Sequence, residues 1–249
     1  MTSKRKCLCA LFAIFIGIAN TTAQAEWKGK GELGLVLARG NSESETFSAK
    51  ADMSNEIDLW KHSVGFSTLY SSSVNADTGA DVKSGDRFEV HGQSDYRLSS
   101  RNYAFGALRY ENDRFSPYTY QAIVALGYGH KFIDSDTTKL AGEVGVGYRR
   151  TEDRITAAIE GDVVARGRVA YEHQFNASTK IFDTLLVESA ADNTFLQNEA
   201  GVQVSMTESL ALSVAHLVRY NTYVPTAIPP ARQQRKSDQL LTANLVFSF

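Results

Sequence analysis

From residue 28 to the terminal Phe249 the chain alternates apolar and polar side chains with a period of two, interrupted only by clusters of Asp, Asn, Ser, Thr, Gly and Pro. Successive side chains of an extended strand point to opposite faces, so this period, held along the whole chain, predicts an all-β fold. Twelve segments are read: 28–38, 45–57, 60–71, 86–98, 102–112, 119–132, 139–151, 162–175, 179–189, 195–206, 209–221 and 238–249. In the fourth, Phe88, Val90, Gly92, Ser94, Tyr96 and Leu98 share one face, while Arg87, Glu89, His91, Gln93, Asp95 and Arg97 share the other. One face is apolar and small; the other is densely charged. A soluble exported sandwich and a membrane barrel both satisfy that alternation, because they differ only in which face meets water.

The connections favour the barrel. Those after the second, fourth, sixth, eighth and tenth segments are short, around Asp58, Ser99-Ser100, 134–137, 176–178 and Thr207-Glu208. Those after the third, fifth, seventh and eleventh are longer, notably 72–85 and 222–237, the latter with Pro225, Pro229 and Pro230. The tight Gly40-Asn41 connection and the modest one at 191–194 are exceptions. Short turns at one end, long loops at the other and an even strand count predict a transmembrane antiparallel up-and-down β-barrel, with both termini and the short turns in the periplasm. The last segment alternates Leu241, Ala243, Leu245, Phe247 and Phe249 to the chain end, and Leu245, Phe247 and Phe249 are read as the signal for the barrel assembly machinery. Trp27, Trp60, Tyr70, Tyr110, Tyr118, Tyr120, Phe132, Tyr148, Tyr171, Phe175 and Tyr220 gather near strand ends, as interfacial girdles require.

Residues 1–25 read as a secretory leader. Lys4, Arg5 and Lys6 precede an apolar run, Cys7 to Ala19, too short to span a bilayer, and Ala23-Gln24-Ala25 supplies a small-x-small cleavage site before Glu26. The expected domains are therefore the leader, 1–25, and one barrel, 26–249. Loss of three basic residues shifts the formal net charge from −2 to −5, which argues against nucleic acid as a partner. Both cysteines, Cys7 and Cys9, fall in the leader, so the expected mature chain forms no disulfide. Beyond the leader no run reaches the roughly eighteen apolar residues of a membrane helix.

Four stretches carry a family resemblance: GELGLVLARGNSESETF, GEVGVGYRRTED, DNTFLQNEAGVQVSMTESLALSVAHLVRYN and the closing LLTANLVFSF. Together they resemble the YdiY-like family of salt-induced outer-membrane proteins over roughly residues 29–249. The resemblance implies a barrel in the outer membrane and a link to salt or envelope stress. It brings no catalytic residue.

Alternation predicts which charges face the lumen. Lys30, Lys50, Arg87, Arg97, Arg109, Lys131, Arg149, Arg166, Arg168 and Arg219 stand against Glu32, Asp52, Glu89, Asp95, Glu111, Glu143, Glu172, Glu188 and Glu199. The signs nearly balance, so one expectation is a lumen closed by ion pairs, since a confined charge needs a partner or water. The other is a passive pore for small polar solutes or ions. Ala125, Gly127, Gly129, Gly145 and Gly147 put small residues on the inward face of neighbouring segments, bordered by Lys131, Arg149, Arg166 and Arg168, which suits an anion-favouring passage. Inward glycines equally serve strand curvature and close packing.

An outer-membrane phospholipase reading needs Ser and His together on the outer face, and His62, His91, His130, His173 and His216 show no such pair in sequence, so the expectation is that the chain is not an enzyme. Glu89, His91 and Asp95 are spaced along one strand and predict a charge network and not a metal site; no cofactor is expected. The sequon Asn176-Ala177-Ser178 carries no functional weight in a turn of a bacterial-type barrel. The loop with Arg232, Arg235 and Lys236 is basic and is expected to face lipopolysaccharide phosphates, with outer-membrane lipids around the barrel wall. Segments five and nine leave their facing open, because Tyr103 and Phe105 oppose Leu108 and Tyr110, and Phe182 and Leu186 oppose Leu185 and Val187.

Overall fold

The computed structural model describes residues 26–38, 44–74, 80–223 and 235–249. The expected leader with Ala25, the Gly40-Asn41 connection, Pro225, Pro229, Pro230 and Arg232 lie outside the described residues, and Glu26 is described. Twelve strands follow one another: β1 Lys28–Ala38, β2 Ser44–Ile57, β3 Trp60–Val74, β4 Asp81–Arg97, β5 Asn102–Asp113, β6 Tyr118–Asp134, β7 Thr138–Asp153, β8 Ile159–Gln174, β9 Thr179–Ser189, β10 Thr194–Ser205, β11 Leu210–Asn221 and β12 Ser237–Ser248. Each pairs antiparallel with the next, and β12 pairs with β1 to close the barrel.

Burial identifies the medium on each side. On β7 the charged Glu143 and Arg149 are 5% and 2% exposed, whereas Val144 and Val146 between them are 66% and 65% exposed. Leu33, Leu126, Val163, Leu241 and Leu245 are likewise exposed, while Glu32, Arg109, Glu111, Glu188, Arg219 and Asn244 are buried. A soluble sandwich has the reverse arrangement. A closed sheet with an apolar outside and a charged inside matches hydrocarbon around it, with every ladder bond made between strands.

The terminus rim, where Lys28 and Ser248 lie, carries turns of two to four residues between β2 and β3, β4 and β5, β6 and β7, β8 and β9, and β10 and β11. The tightest, Asp58-Leu59, places Asp58 in the left-handed region at φ 53°, which a short polar side chain tolerates. The opposite, loop rim holds the longest connection, 222–236. One expected loop, 72–85, is mostly strand. β3 runs to Val74 and β4 starts at Asp81, with a register shift at Ser71/Ser72 and a Ser84 to Ser71 hydroxyl contact of 3.1 Å. Serine-rich ends show no alternation to read, yet their backbone pairs as well as any other.

Aromatic contacts mark both girdles. Toward the terminus rim, Trp60 packs on His62 and Tyr96, and Phe247 stacks on Phe249; toward the loop rim, Phe88 packs tilted on Tyr110, which stacks on Tyr120.

Candidate functional site: the lumen

The two strands of open facing are decided by what they bury. On β5, Phe105 is 4% exposed and Leu108 54%, so Tyr103, Phe105, Ala107, Arg109 and Glu111 point inward. On β9 the buried Glu188 and the Lys180 to Glu172 bond of 2.9 Å fix Lys180, Phe182, Thr184, Leu186 and Glu188 as the inward set.

The centre of the lumen near the loop rim is filled by a cluster that joins opposite walls. The Arg219 guanidinium on β11 donates to Glu111 on β5, six strands away, and to Asp113 at 3.0 Å. Arg109 on β5 donates to Glu188 on β9, lies 3.2 Å from Glu111 and 3.5 Å from Glu89. The Phe195 ring on β10 sits between the two guanidinium groups, at 5.0 Å from that of Arg109 and 4.9 Å from that of Arg219. A delocalised cation stacks well on an aromatic face while its edge donates to carboxylates, which is why arginine suits this crossing. All of these side chains are buried apart from the partly buried Glu89 and Asp113.

Further braces lie nearer mid-barrel. Lys50 on β2 pairs with Glu199 on β10. Glu143 on β7 accepts from Gln93 on β4 at 2.9 Å, from the Tyr103 hydroxyl at 3.0 Å and from Arg166 on β8 at 2.9 Å, and Arg168 approaches it at 3.5 Å. Near the loop rim Arg149 donates to Asp162 at 3.0 Å and to Asp192, which also accepts the Tyr118 hydroxyl at 2.9 Å. Burial raises the Asp192 carboxyl pKa, but these two donors outweigh it and hold the group below the usual carboxylate value.

The same geometry shows what the inward glycines of β6 and β7 accommodate. A Cβ on Gly127 would meet the Phe105 ring and the Val144 carbonyl oxygen, one on Gly129 the Tyr103 ring, and one on Gly145 or Gly147 a backbone oxygen of β6. These glycines admit two aromatic rings and a close backbone approach, so the space they leave is taken up by Phe105, Tyr103 and the neighbouring backbone. Nor is there a cationic surplus, since Arg149, Arg166, Arg168 and Lys131 each have a carboxylate partner. Among the remaining sequence-selected residues, Asp95 accepts from Gln93 at 2.9 Å. Arg97 pairs with Glu56, Lys131 with Asp134 and Glu172 with Lys180, all toward the terminus rim. Arg87 faces inward opposite Asp113 with no ion pair among the described residues.

Phe195, Asp113, Asp162 and Asp192 complete the network and carry no role in the alternation reading, while that reading places Gln93 and Tyr103 on their strands without a partner. Phe195 had a signal, because it shares the polar face of β10 with Gln197 and Glu199.

The expectation of no histidine and serine together on the outer face is corrected at His62. His62 Nδ1 lies 2.9 Å from Ser94 Oγ on the outward face, His173 Nδ1 2.8 Å from Thr138 Oγ1, and His130 Nδ1 2.6 Å from Asn102 Oδ1. Each of these histidines packs on an aromatic two residues away, Trp60, Phe175 and Phe132 respectively. The three form a polar inner edge to the girdle at the terminus rim. His91 contacts Asp52 at 3.4 Å and Glu89 at 3.6 Å, and no group of three His, Cys, Asp or Glu among the described residues has the spacing to hold a metal ion.

A closed twelve-stranded sheet with lipid-facing apolar residues and a charged interior defines an outer-membrane-type β-barrel. Residues 31–249 match the model of the family described as protein of unknown function DUF481, and the chain belongs to that family. It is similar to the uncharacterised protein YdiY of Escherichia coli strain K12, 26% identical over 215 residues that cover 86% of this chain and 82% of that protein. Among solved structures it is similar in fold to the NanC porin, with TM-score 0.52 and 10% identity over 90% of this chain and 99% of that one. The COG4313 outer membrane channel from Pseudomonas putida F1 aligns with TM-score 0.49 and 12% identity, over 92% and 97% of the two chains.

Proposed function

We propose that this barrel sits in the outer membrane with its termini and short turns in the periplasm, and that its lumen is held shut by ion-paired braces, making it a non-conducting structural element of the envelope. The observation that carries the reading is the Arg219 to Glu111 pair, which ties opposite walls together around Phe195. Buried pairs are screened far less than exposed ones, so a barrel shut in this way stays shut in concentrated salt. That property suits the salt-stress link implied by the family resemblance. The reading involves no catalytic step and no cofactor.

The test is conductance of residues 26–249, refolded in a planar bilayer at low and high salt. Silence with a verified folded barrel is expected in both. Reproducible steps from the unaltered protein would overturn the closed-lumen reading and favour a passive pore for small ions. One observation favours that second reading: Lys30, Asp52 and His91, on the inner wall toward the terminus rim, keep 48%, 38% and 43% of their side chains exposed, as a wet vestibule below the braces would.

Two proposed partnerships have their own tests. Leu245, Phe247 and Phe249 project from the outer face of β12. Replacing Phe247 and Phe249 by alanine is expected to lower the fraction assembled in the outer membrane, read by heat-modifiable gel mobility, with little effect on refolding into detergent. Arg235 and Lys236 are exposed at the loop rim. Changing Arg232, Arg235 and Lys236 to glutamine is expected to weaken lipopolysaccharide association, and unchanged binding would remove that contact.

A further inference from the structure

The closing seam is zipped over only part of its length. β1 and β12 share five register pairs, Lys30↔Ser248 to Gly34↔Asn244, extended at the terminus rim by the mutual backbone bonds of Gly29 and Phe249. Beyond Gly34, β1 continues to Ala38 and stays paired with β2 as far as Ala38↔Ser44. β12 stays paired with β11 back to Ser237↔Tyr220. No ladder pair joins the facing edges, Leu35–Ala38 and Ser237–Ala243, so the seam has an unzipped stretch, the slot, about 13 Å tall on the shorter edge at 3.3 Å per residue.

The chemistry changes where the pairing stops. Asn244, 2% exposed, donates to Glu32 at 3.1 Å and accepts from Ser48 at 3.4 Å, and its amide fills the place a side chain on Gly34 would take. This polar lock ends the zipped part. Above it the outward residues Leu35 and Leu241 are 62% and 67% exposed to the lipid belt. The inward residues are mixed: Val36 on β1, Leu240 on β12 and Leu217 on β11 are apolar, while Thr242 and Asp238 on β12 are polar. Val36 with Leu35 on one edge and Leu240 with Leu241 on the other give each edge an apolar side chain on both its inner and outer face. Unpaired strand edges are costly in hydrocarbon, which offers their N–H and C=O groups no partner, so the slot requires water or polar groups beside its backbone. Arg235 and Lys236, exposed where β12 begins, stand at its top.

We propose that the slot between β1 and β12 is a lateral passage for a single-chain anionic amphiphile, whose head group stays in water near Arg235 and Lys236 while its acyl chain lies between the strand edges and reaches the bilayer. The passage is independent of whether the main lumen conducts.

The experiment uses the mature barrel in phosphatidylethanolamine and phosphatidylglycerol vesicles, with cysteine pairs introduced into a segment that has no cysteine of its own. Leu33→Cys with Leu245→Cys spans a paired position and is expected to oxidise readily; Leu35→Cys with Ala243→Cys spans the slot and is expected to oxidise about tenfold more slowly. A palmitate carrying a photoactivatable diazirine is then expected to label Val36, Leu217 and Leu240. Stapling positions 35 and 243 with a short bis-maleimide should remove that labelling, and stapling 33 and 245 should leave it. Competition by unlabelled lysophosphatidylglycerol supports a lysolipid as the natural occupant; competition by free palmitate alone supports a fatty acid. Equal oxidation of the two pairs would overturn the proposal, as would labelling confined to Leu35 and Leu241, which is ordinary bilayer contact. Disulfide-linked dimers from the single Leu35→Cys chain would also overturn it, in favour of a second copy pairing with the edge.

Discussion

Barrels carrying both Arg109→Ala and Arg219→Ala are expected to pass current in reproducible steps, under conditions where the unaltered protein is silent. The two guanidinium groups hold Glu89, Glu111, Asp113 and Glu188 and clamp Phe195 between them. Without them four carboxylates face one another in a confined space, repel and draw in water. The opened lumen should prefer cations, since a ring of Asp and Glu selects them, and the reversal potential across a salt gradient reports the sign. Removing one partner of a buried pair typically costs about 3–5 kcal/mol, so the urea midpoint should fall as well. Replacing Arg109 and Glu188 together by methionine separates the two effects. It removes both charges while keeping volume, and should leave the barrel silent with most of its stability retained. A folded but silent Arg109→Ala, Arg219→Ala barrel would show that the Phe105 and Tyr103 rings, and not the ion pairs, obstruct the lumen.

Gly145→Val is expected to prevent the barrel from forming. A Cβ there would meet the Leu126 carbonyl oxygen and crowd both Phe105 and Gly127. A flexible side chain can turn aside, but a ladder carbonyl cannot, so the clash has to be relieved by parting β6 from β7. Overpacking in a core typically costs about 1–3 kcal/mol, and displacement of backbone lies at or above the upper end. The measurement is the fraction refolded into detergent, read by gel mobility without heating. Gly167→Ala is the matched control, because a Cβ there has only the Glu143 carbonyl oxygen near it, at 4.0 Å, and it should refold normally. Normal refolding of Gly145→Val would mean that the tight β6–β7 approach is not needed for closure.

Which strands exist was legible because lipid and lumen impose opposite chemistry on alternate residues, so every wall segment records its facing. The record fails where both faces are similar. Ser72 and Ser73 continue the serine run begun at Ser71, carry no contrast and read as loop, although they extend β3. β5 was ambiguous for another reason: Tyr103 and Phe105 point into the lumen, where charged residues are expected, because they fill the space left by glycines on β6 and β7. Alternation also says that Arg219 and Glu111 both face inward, but it carries no information on which wall faces which. That partnership depends on barrel diameter and strand stagger, which are properties of the closed sheet. The short β1–β12 seam was equally hidden, since both segments alternate well past the point where their pairing ends.

The braces join residues that are remote along the chain: Lys50 and Glu199 are 149 positions apart, and Glu111 and Arg219 are 108. Neither pair can form until the later strand has arrived, so during assembly the charged inner wall must remain hydrated, and a half-built sheet has no dry interior to gain. These two cross-lumen pairs reward only a sheet that has curled round on itself, whereas pairs between neighbouring strands, such as Arg166 with Glu143 and Arg149 with Asp162, do not wait for it. An incomplete barrel has little to hold it in place and stays free to unravel and try again.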